Sequence, residues 1–325
     1  MEKIKFLTMA ALATAFFASC SNEDGLPQSN YPADNVVRIT TSVDGMNTRA
    51  SYGSSTAKLS SFGFCINNAG SDKYTYDNIK VTQENGKWNP ATQMLWQNST
   101  TAVDILAYAP YQANGNVKIF GKSDYAFSVK EDQSIAEDYS SDLIVYKQTG
   151  FKPESDLNTN QAVNVAFTHL LSQLNLTIEL RDQFNQDEKK PVTSATVTDV
   201  KVNGTIISSK VDFSASPISV QVDDTQEATA ITPETTEFKA AGKTTDHAAF
   251  NYSAIVIPQT VTAGNFSISF KVDGTDYIWT STSDVNFVSG NKHQLSLLVG
   301  KDVVQVKGIT ATPWGKENIT QGETD

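Results

Sequence analysis

Residues 36–50 read Val36-Val37-Arg38-Ile39-Thr40-Thr41-Ser42-Val43-Asp44-Gly45-Met46-Asn47-Thr48-Arg49-Ala50. Val37, Ile39, Thr41 and Val43 fall on one side of an extended chain, and Arg38, Thr40 and Ser42 on the other. That period of two predicts a half-buried β-strand over 36–43. Asp44-Gly45 stops it, and Met46 to Ser51 shows no periodicity, which predicts an exposed loop. A single strand tied to a body through an exposed Arg49–Ala50 bond can be removed by one cut. The plainer reading of Arg49 is an ordinary loop residue.

Upstream, Lys3 and Lys5 precede an apolar run from Phe6 to Phe17, interrupted by Thr8 and Thr14. The run has the length of a signal-peptide core and is too short to span a bilayer. It ends in Phe17-Ala18-Ser19-Cys20, small residues directly before a Cys, which resembles a bacterial lipobox with Cys20 as the acylated mature N-terminus. Several acyl chains on one Cys anchor stably. An ordinary cleaved signal with an incidental Cys is the alternative. Residues 20–35 are polar with two prolines and predict a tether. Their early acidic residues resemble a surface-export signal of some Gram-negative lipoproteins.

Downstream, short apolar runs recur every 8 to 15 residues, separated by turn signals. Asn85-Gly86 and Asp273-Gly274 predict hairpins. Ala102 to Ala109 is almost continuously apolar and predicts a central strand. Ser134 to Ser141 has room for one helical turn. Gln148 to Gln161, with Gly150, Pro153, Asn158 and Asn160, predicts a domain linker. Residues 223–246 are rich in Thr and Glu and predict a long surface excursion. The pattern as a whole predicts an all-β chain of two tandem antiparallel β-sandwich domains, 36–155 and 156–325, after a signal peptide (1–19) and tether (20–35). A length of 325 residues agrees with about two domains.

The formal charge is −11, and removing the net +1 of residues 1–19 leaves −12. An acidic chain without a basic cluster argues against nucleic acid, whose binding relies on Lys and Arg at phosphates. The chain holds two cysteines, Cys20 and Cys65. If Cys20 is acylated, no disulfide can form. Cys65, inside the apolar run Phe62 to Ile66, reads as a small buried hydrophobe. His169, His247 and His293 do not lie at metal-ligand spacing from one another or from Cys65. His169 reads as a packed, hydrogen-bonded strand residue. Adjacent acids such as Glu131-Asp132 alternate faces on a strand and make poor acid–base couples. Neither a Gly-rich phosphate loop nor a nucleophile elbow appears. We therefore expect no enzymatic activity, no cofactor and no metal. Trp88, Trp96, Trp279 and Trp314 suit either core packing or a sugar-stacking platform.

Five stretches carry a family resemblance. Asn47-Thr48-Arg49-Ala50 resembles the T-R segment that follows the first strand of fimbrillin-like proteins. Ala107-Tyr108-Ala109-Pro110-Tyr111 resembles their A-Y-x-P-Y run, and Asp142-Leu143-Ile144-Val145-Tyr146 their D-L-[LI]-x-[YA] run. Phe167-Thr168-His169-Leu170-Leu171-Ser172-Gln173-Leu174 is similar to F-x-H-x-x-[AS]-x-[LV]. Ile309 to Trp314 is similar to I-x-x-W-x-x-G, although here Gly315 follows the Trp directly. The resemblance implies a lipoprotein pilin of the outer membrane with transthyretin-like sandwich domains, surface-exposed and incorporated into a fimbrium. It also implies cleavage at Arg49-Ala50 by an Arg-specific protease. The groove left by residues 36–43 is then filled by a strand from another pilin subunit, with Val303 to Trp314 the expected donor. The alternative is a surface lipoprotein, held in outer-membrane lipid through Cys20, that binds glycan or host protein and does not polymerise.

Overall fold

Alternation of buried and exposed side chains sets the strands. The computed structural model describes residues 30–43, 58–113, 118–135, 137–184, 191–242 and 247–314. Its first eight strands are β1 (Arg38–Val43), β2 (Ser61–Asn67), β3 (Tyr76–Glu84), β4 (Lys87–Pro90), β5 (Val103–Ala109), β6 (Tyr125–Ser128), β7 (Ile144–Phe151) and β8 (Ala162–His169). One helical turn, α1 (Pro153–Asp156), joins the last two. Then come β9 (Ser172–Leu180), β10 (Val197–Asn203), β11 (Ser208–Asp212), β12 (Ser219–Val222), β13 (Glu234–Lys239) and β14 (Ala248–Val256). The chain continues through β15 (Gln259–Val261), β16 (Ser267–Val272), β17 (Thr275–Thr280), β18 (Val285–Phe287), β19 (Asn291–Gly300) and β20 (Val303–Pro313).

The protein is an all-β sandwich. Its largest sheet has seven strands in the order β1-β8-β7-β5-β2-β3-β4, and a five-stranded sheet runs β13-β14-β9-β19-β20. Three-stranded sheets β10-β16-β17 and β12-β11-β6 complete the main layers. Central β5 shows why residues 102–109 read as continuously apolar. Ile105 and Ala107 enter one core cluster while Leu106 and Tyr108 enter another, so the strand is buried on both faces. Both expected hairpin tips are present. Asn85 and Gly86 (φ 51° and 75°) turn β3 into β4, and Asp273 and Gly274 (φ 49° and 82°) turn β16 into β17. Two positive φ values match the strand twist in a two-residue hairpin.

Several sequence expectations need correction. Pairing is not wholly antiparallel, because β1 runs parallel to β8 and β19 parallel to β9. Such partners lie far apart in sequence, and local turn signals say nothing about them. The stretch 148–161, expected as a linker, holds the end of β7 and α1. Strand pairing passes 155/156 in both directions: β8 lies between β1 and β7, and β6 pairs with β11. Lys147 ties the same layers together, donating from Nζ to the carbonyls of Phe213, Ser214 and Ala215 at 2.7–2.9 Å. The excursion at 223–246 contains β13, paired with β14. Its side chains read as loop because Glu234 is its one buried residue. Among the described residues of 134–141 the expected helical turn is absent.

Gly204 follows β10 at φ +90°, and a Cβ there would sit 2.0 Å from the Asn265 carbonyl oxygen. Gly204→Ala is therefore expected to lower stability by roughly 1–3 kcal/mol, read from urea unfolding midpoints. An unchanged midpoint would mean that the backbone relaxes freely there.

Candidate functional site

Residues 38–43 form the first strand as the alternation predicts. Val37, Ile39 and Val43 are 3–7% exposed and join the core cluster containing Phe62, Phe64 and Phe167. Thr41 shares their side, with its Oγ1 buried and without a hydrogen-bond partner among the described residues. As the terminal strand of its sheet, β1 has a single ladder, to β8, running from Arg38↔Ala162 to Val43↔Phe167. Side-chain ties are few. Asn158 Nδ2 donates to Thr40 Oγ1 at 3.0 Å, and Arg38 pairs with Asp34 at 2.6 Å. That ion pair is about half exposed and contributes little.

The far edge of β1 faces β4, the opposite end of the same sheet. At one end the residues before β1 meet those after β4, where Val36 bridges Leu95 and Val37 N–H donates to the Met94 carbonyl at 3.0 Å. Beyond that bridge the two edges border a groove of about 930 Å³ lined by Ile39, Thr41, Trp88 and Pro90. The strand is thus well buried by side chains yet laddered to one strand only among the described residues.

β20 is the opposite case. It is the outermost strand of the five-stranded sheet, laddered to β19 over eleven residues. Val303, Val306 and Ile309 are 41–46% exposed. Val306 and Ile309 lie opposite buried Leu297 and Leu295 and so share their core-facing side, but the sandwich does not cover them. Across 303–314 the only buried residue is Trp314.

Trp314 completes a buried cluster drawn from three of the quoted stretches. Its ring stacks on His169 at 3.9 Å and an interplanar angle of 5°. His169 Nδ1 lies 2.9 Å from Asp142 Oδ1, with both side chains fully buried. Lys292 Nζ sits 5.7 Å from the Trp314 ring centre, and burial pushes its pKa down against the opposing pull of Asp142. His169 is the packed, hydrogen-bonded strand residue that its sequence context predicts. It belongs to no metal group: among the described residues, no three His, Cys, Asp or Glu side chains converge.

On the neighbouring strand position, burial pushes the His293 pKa below the ordinary 6.5. The unfolded chain then binds a proton that the folded protein excludes, so stability falls as pH drops through about 6.5. His293→Gln is expected to flatten that fall between pH 7.5 and 5.5 in denaturant titrations. An equal fall in both proteins would assign the acid sensitivity elsewhere.

The remaining expected residues divide clearly. Cys65 is free and fully buried, and burial raises its thiol pKa well above the ordinary range. The four tryptophans do not converge. Trp88 packs on Phe62, Trp96 on Phe151, Trp279 on Phe266 and Trp314 on His169. Cys20, Arg49 and Ala50 lie outside the described residues.

A family model described as fimbrillin-like matches residues 48–314. Solved structures share the fold. A protein of Bacteroides ovatus assigned to cell adhesion aligns with a TM-score of 0.60 at 13% identity, covering 87% of this chain and 99% of that one. Another so assigned, from Bacteroides uniformis, gives 0.55 at 20% identity over 87% and 99%. A fimbrial protein of Bacteroides vulgatus gives 0.53 at 16% over 85% and 99%. No curated protein matches the chain.

Proposed function

Because the chain belongs to the fimbrillin-like family, we propose that it is a structural or adhesive subunit of a cell-surface fimbrium. The subunit is exported as a lipoprotein and held in outer-membrane lipid through acylated Cys20. An Arg-specific protease cuts between Arg49 and Ala50, which frees β1 from the body. The exposed edge of β8 then accepts a strand from another subunit by β-augmentation. The C-terminal segment, β20 with Trp314, is the donor.

The observation that carries this reading is the state of β1. Its inward side chains are buried, yet its ladder has one partner and lies at a sheet edge. The exposed apolar residues of β20 support the donor assignment, since they would gain cover in a new partner's slot. The cut also explains how an intramolecular strand can be displaced. While residues 44–57 are intact, β1 stays at high effective concentration beside β8; after the cut it dissociates as a free peptide.

The test is to treat the purified full chain with an Arg-specific protease and follow N-terminal sequence and oligomer ladders together. A new N-terminus at Ala50, followed by ladders that an Arg49→Ala variant does not form, is the expected result. An intact 49–50 bond with cuts elsewhere, or a cut protein that stays monomeric, would overturn it.

A further inference from the structure

Three segments that are remote in sequence meet at Trp314. Asp142 lies two residues before β7, His169 is the last residue of β8, and Trp314 directly follows β20. The Trp314 backbone N–H donates to the Gly290 carbonyl at 2.7 Å. Gly290 N–H in turn donates to the Leu171 carbonyl at 2.9 Å, and Ser289 Oγ to the Leu170 carbonyl at 2.6 Å. The turn at 288–290 thus braces the β8–β9 corner against the end of β20.

The cluster is largely buried. His169 Nε2 and Trp314 Nε1 are buried with no hydrogen-bond partner among the described residues. A polar atom left unpaired inside a protein carries a cost. Here flat ring-on-ring packing holds the rings, with Asp142 fixing the imidazole and Lys292 over the indole. Beyond its ladder to β19, the rest of β20 is tied by two exposed side-chain contacts, Arg181 to Gln305 and Lys307 to Glu179. No side chain from Val303 to Pro313 is buried, and Val304 only partly packs against the core.

We propose that Asp142, His169 and Trp314 form a latch that retains the C-terminal strand on its own subunit. Withdrawal of Trp314 from His169 is the step that lets β20 peel from β19. His169 and Asp142 act by positioning the surface on which the indole docks. The latch is anchored on β8, the strand whose edge β1 covers. In this arrangement the retained end of one strand and the acceptor edge for another are parts of one element. The latch itself stands on the geometry above; its use in assembly rests on the donor reading of the preceding subsection.

The test is amide hydrogen exchange on the full, uncut chain carrying Trp314→Ala, compared with Trp314→Phe and the unmodified protein. Expected is at least about tenfold faster exchange along β20 in Trp314→Ala, with β5, β9 and β14 still protected. Trp314→Phe keeps a ring on His169 and should show a smaller acceleration in the same place. Unchanged β20 exchange in both variants would overturn the latch. So would acceleration spread evenly over all sheets in both, since Trp314 would then be a general core residue. Ladder formation by the Arg-cut variants is a separate readout. Faster β20 exchange without faster ladder formation would leave the latch standing and remove β20 as the donor.

Discussion

A chain that begins at Ala50, lacking β1, is expected to melt more than about 10 °C below the full chain. Val37, Ile39 and Val43 are nearly fully buried, and each contributes roughly 1.5–3 kcal/mol. Ladder bonds to β8 add about 1 kcal/mol each. The sum is of the order of a whole domain's stability, about 5–15 kcal/mol. In a body of this size each kcal/mol shifts the melting temperature by about 2–4 °C. A synthetic peptide of residues 36–43 should restore the transition in a concentration-dependent way, since it binds the folded body alone. The same peptide with Ile39→Asp should not, because it would place a carboxylate in the apolar slot. Equal melting of the two chains would mean that β1 is not structural.

Phe167→Ala is expected to cost about 3–5 kcal/mol, read from chemical denaturation midpoints. Phe167 is fully buried on β8, sits opposite Val43 and packs edge-on against Phe62 at 5.4 Å. It lines the slot whichever strand fills it, so the loss should appear in monomer and in assembled material alike. Asn164→Ala, on the exposed side of the same strand, should cost about 0.5 kcal/mol or less. A Phe167→Ala cost below about 1 kcal/mol would mean that the slot collapses onto the vacancy.

What the sequence made legible was whatever a short window determines. The period of two over 37–43 marked β1 and its buried side, and the apolar run at 102–109 marked a strand covered on both faces. Asn85-Gly86 and Asp273-Gly274 marked hairpin tips because few residue pairs tolerate two positive φ values. Partnership across the chain was not legible. Nothing in Tyr125 to Ser128 says that β6 joins β11, and nothing in Arg38 to Val43 says that its neighbour runs parallel. β13 was hidden by its own composition: an edge strand with a single buried residue reads as polar loop. The Asp142–His169–Trp314 contact shows the same limit at the candidate site. Each residue stood in a recognisable stretch, but their meeting depends on how the β8–β9 corner closes against the turn at 288–290.

The parallel ladder between β1 and β8 has a consequence for any filament built this way. A strand that repeats that ladder can enter the slot in one direction only. The contact between successive subunits is then head-to-tail, made by different surfaces on each side, as an open filament requires. Such a fibre has polarity. One terminus presents an empty slot and the other an unused C-terminal strand, so growth and capping are chemically distinct events. A subunit that kept its own β1 would have no vacant slot to offer and would end the fibre on that side.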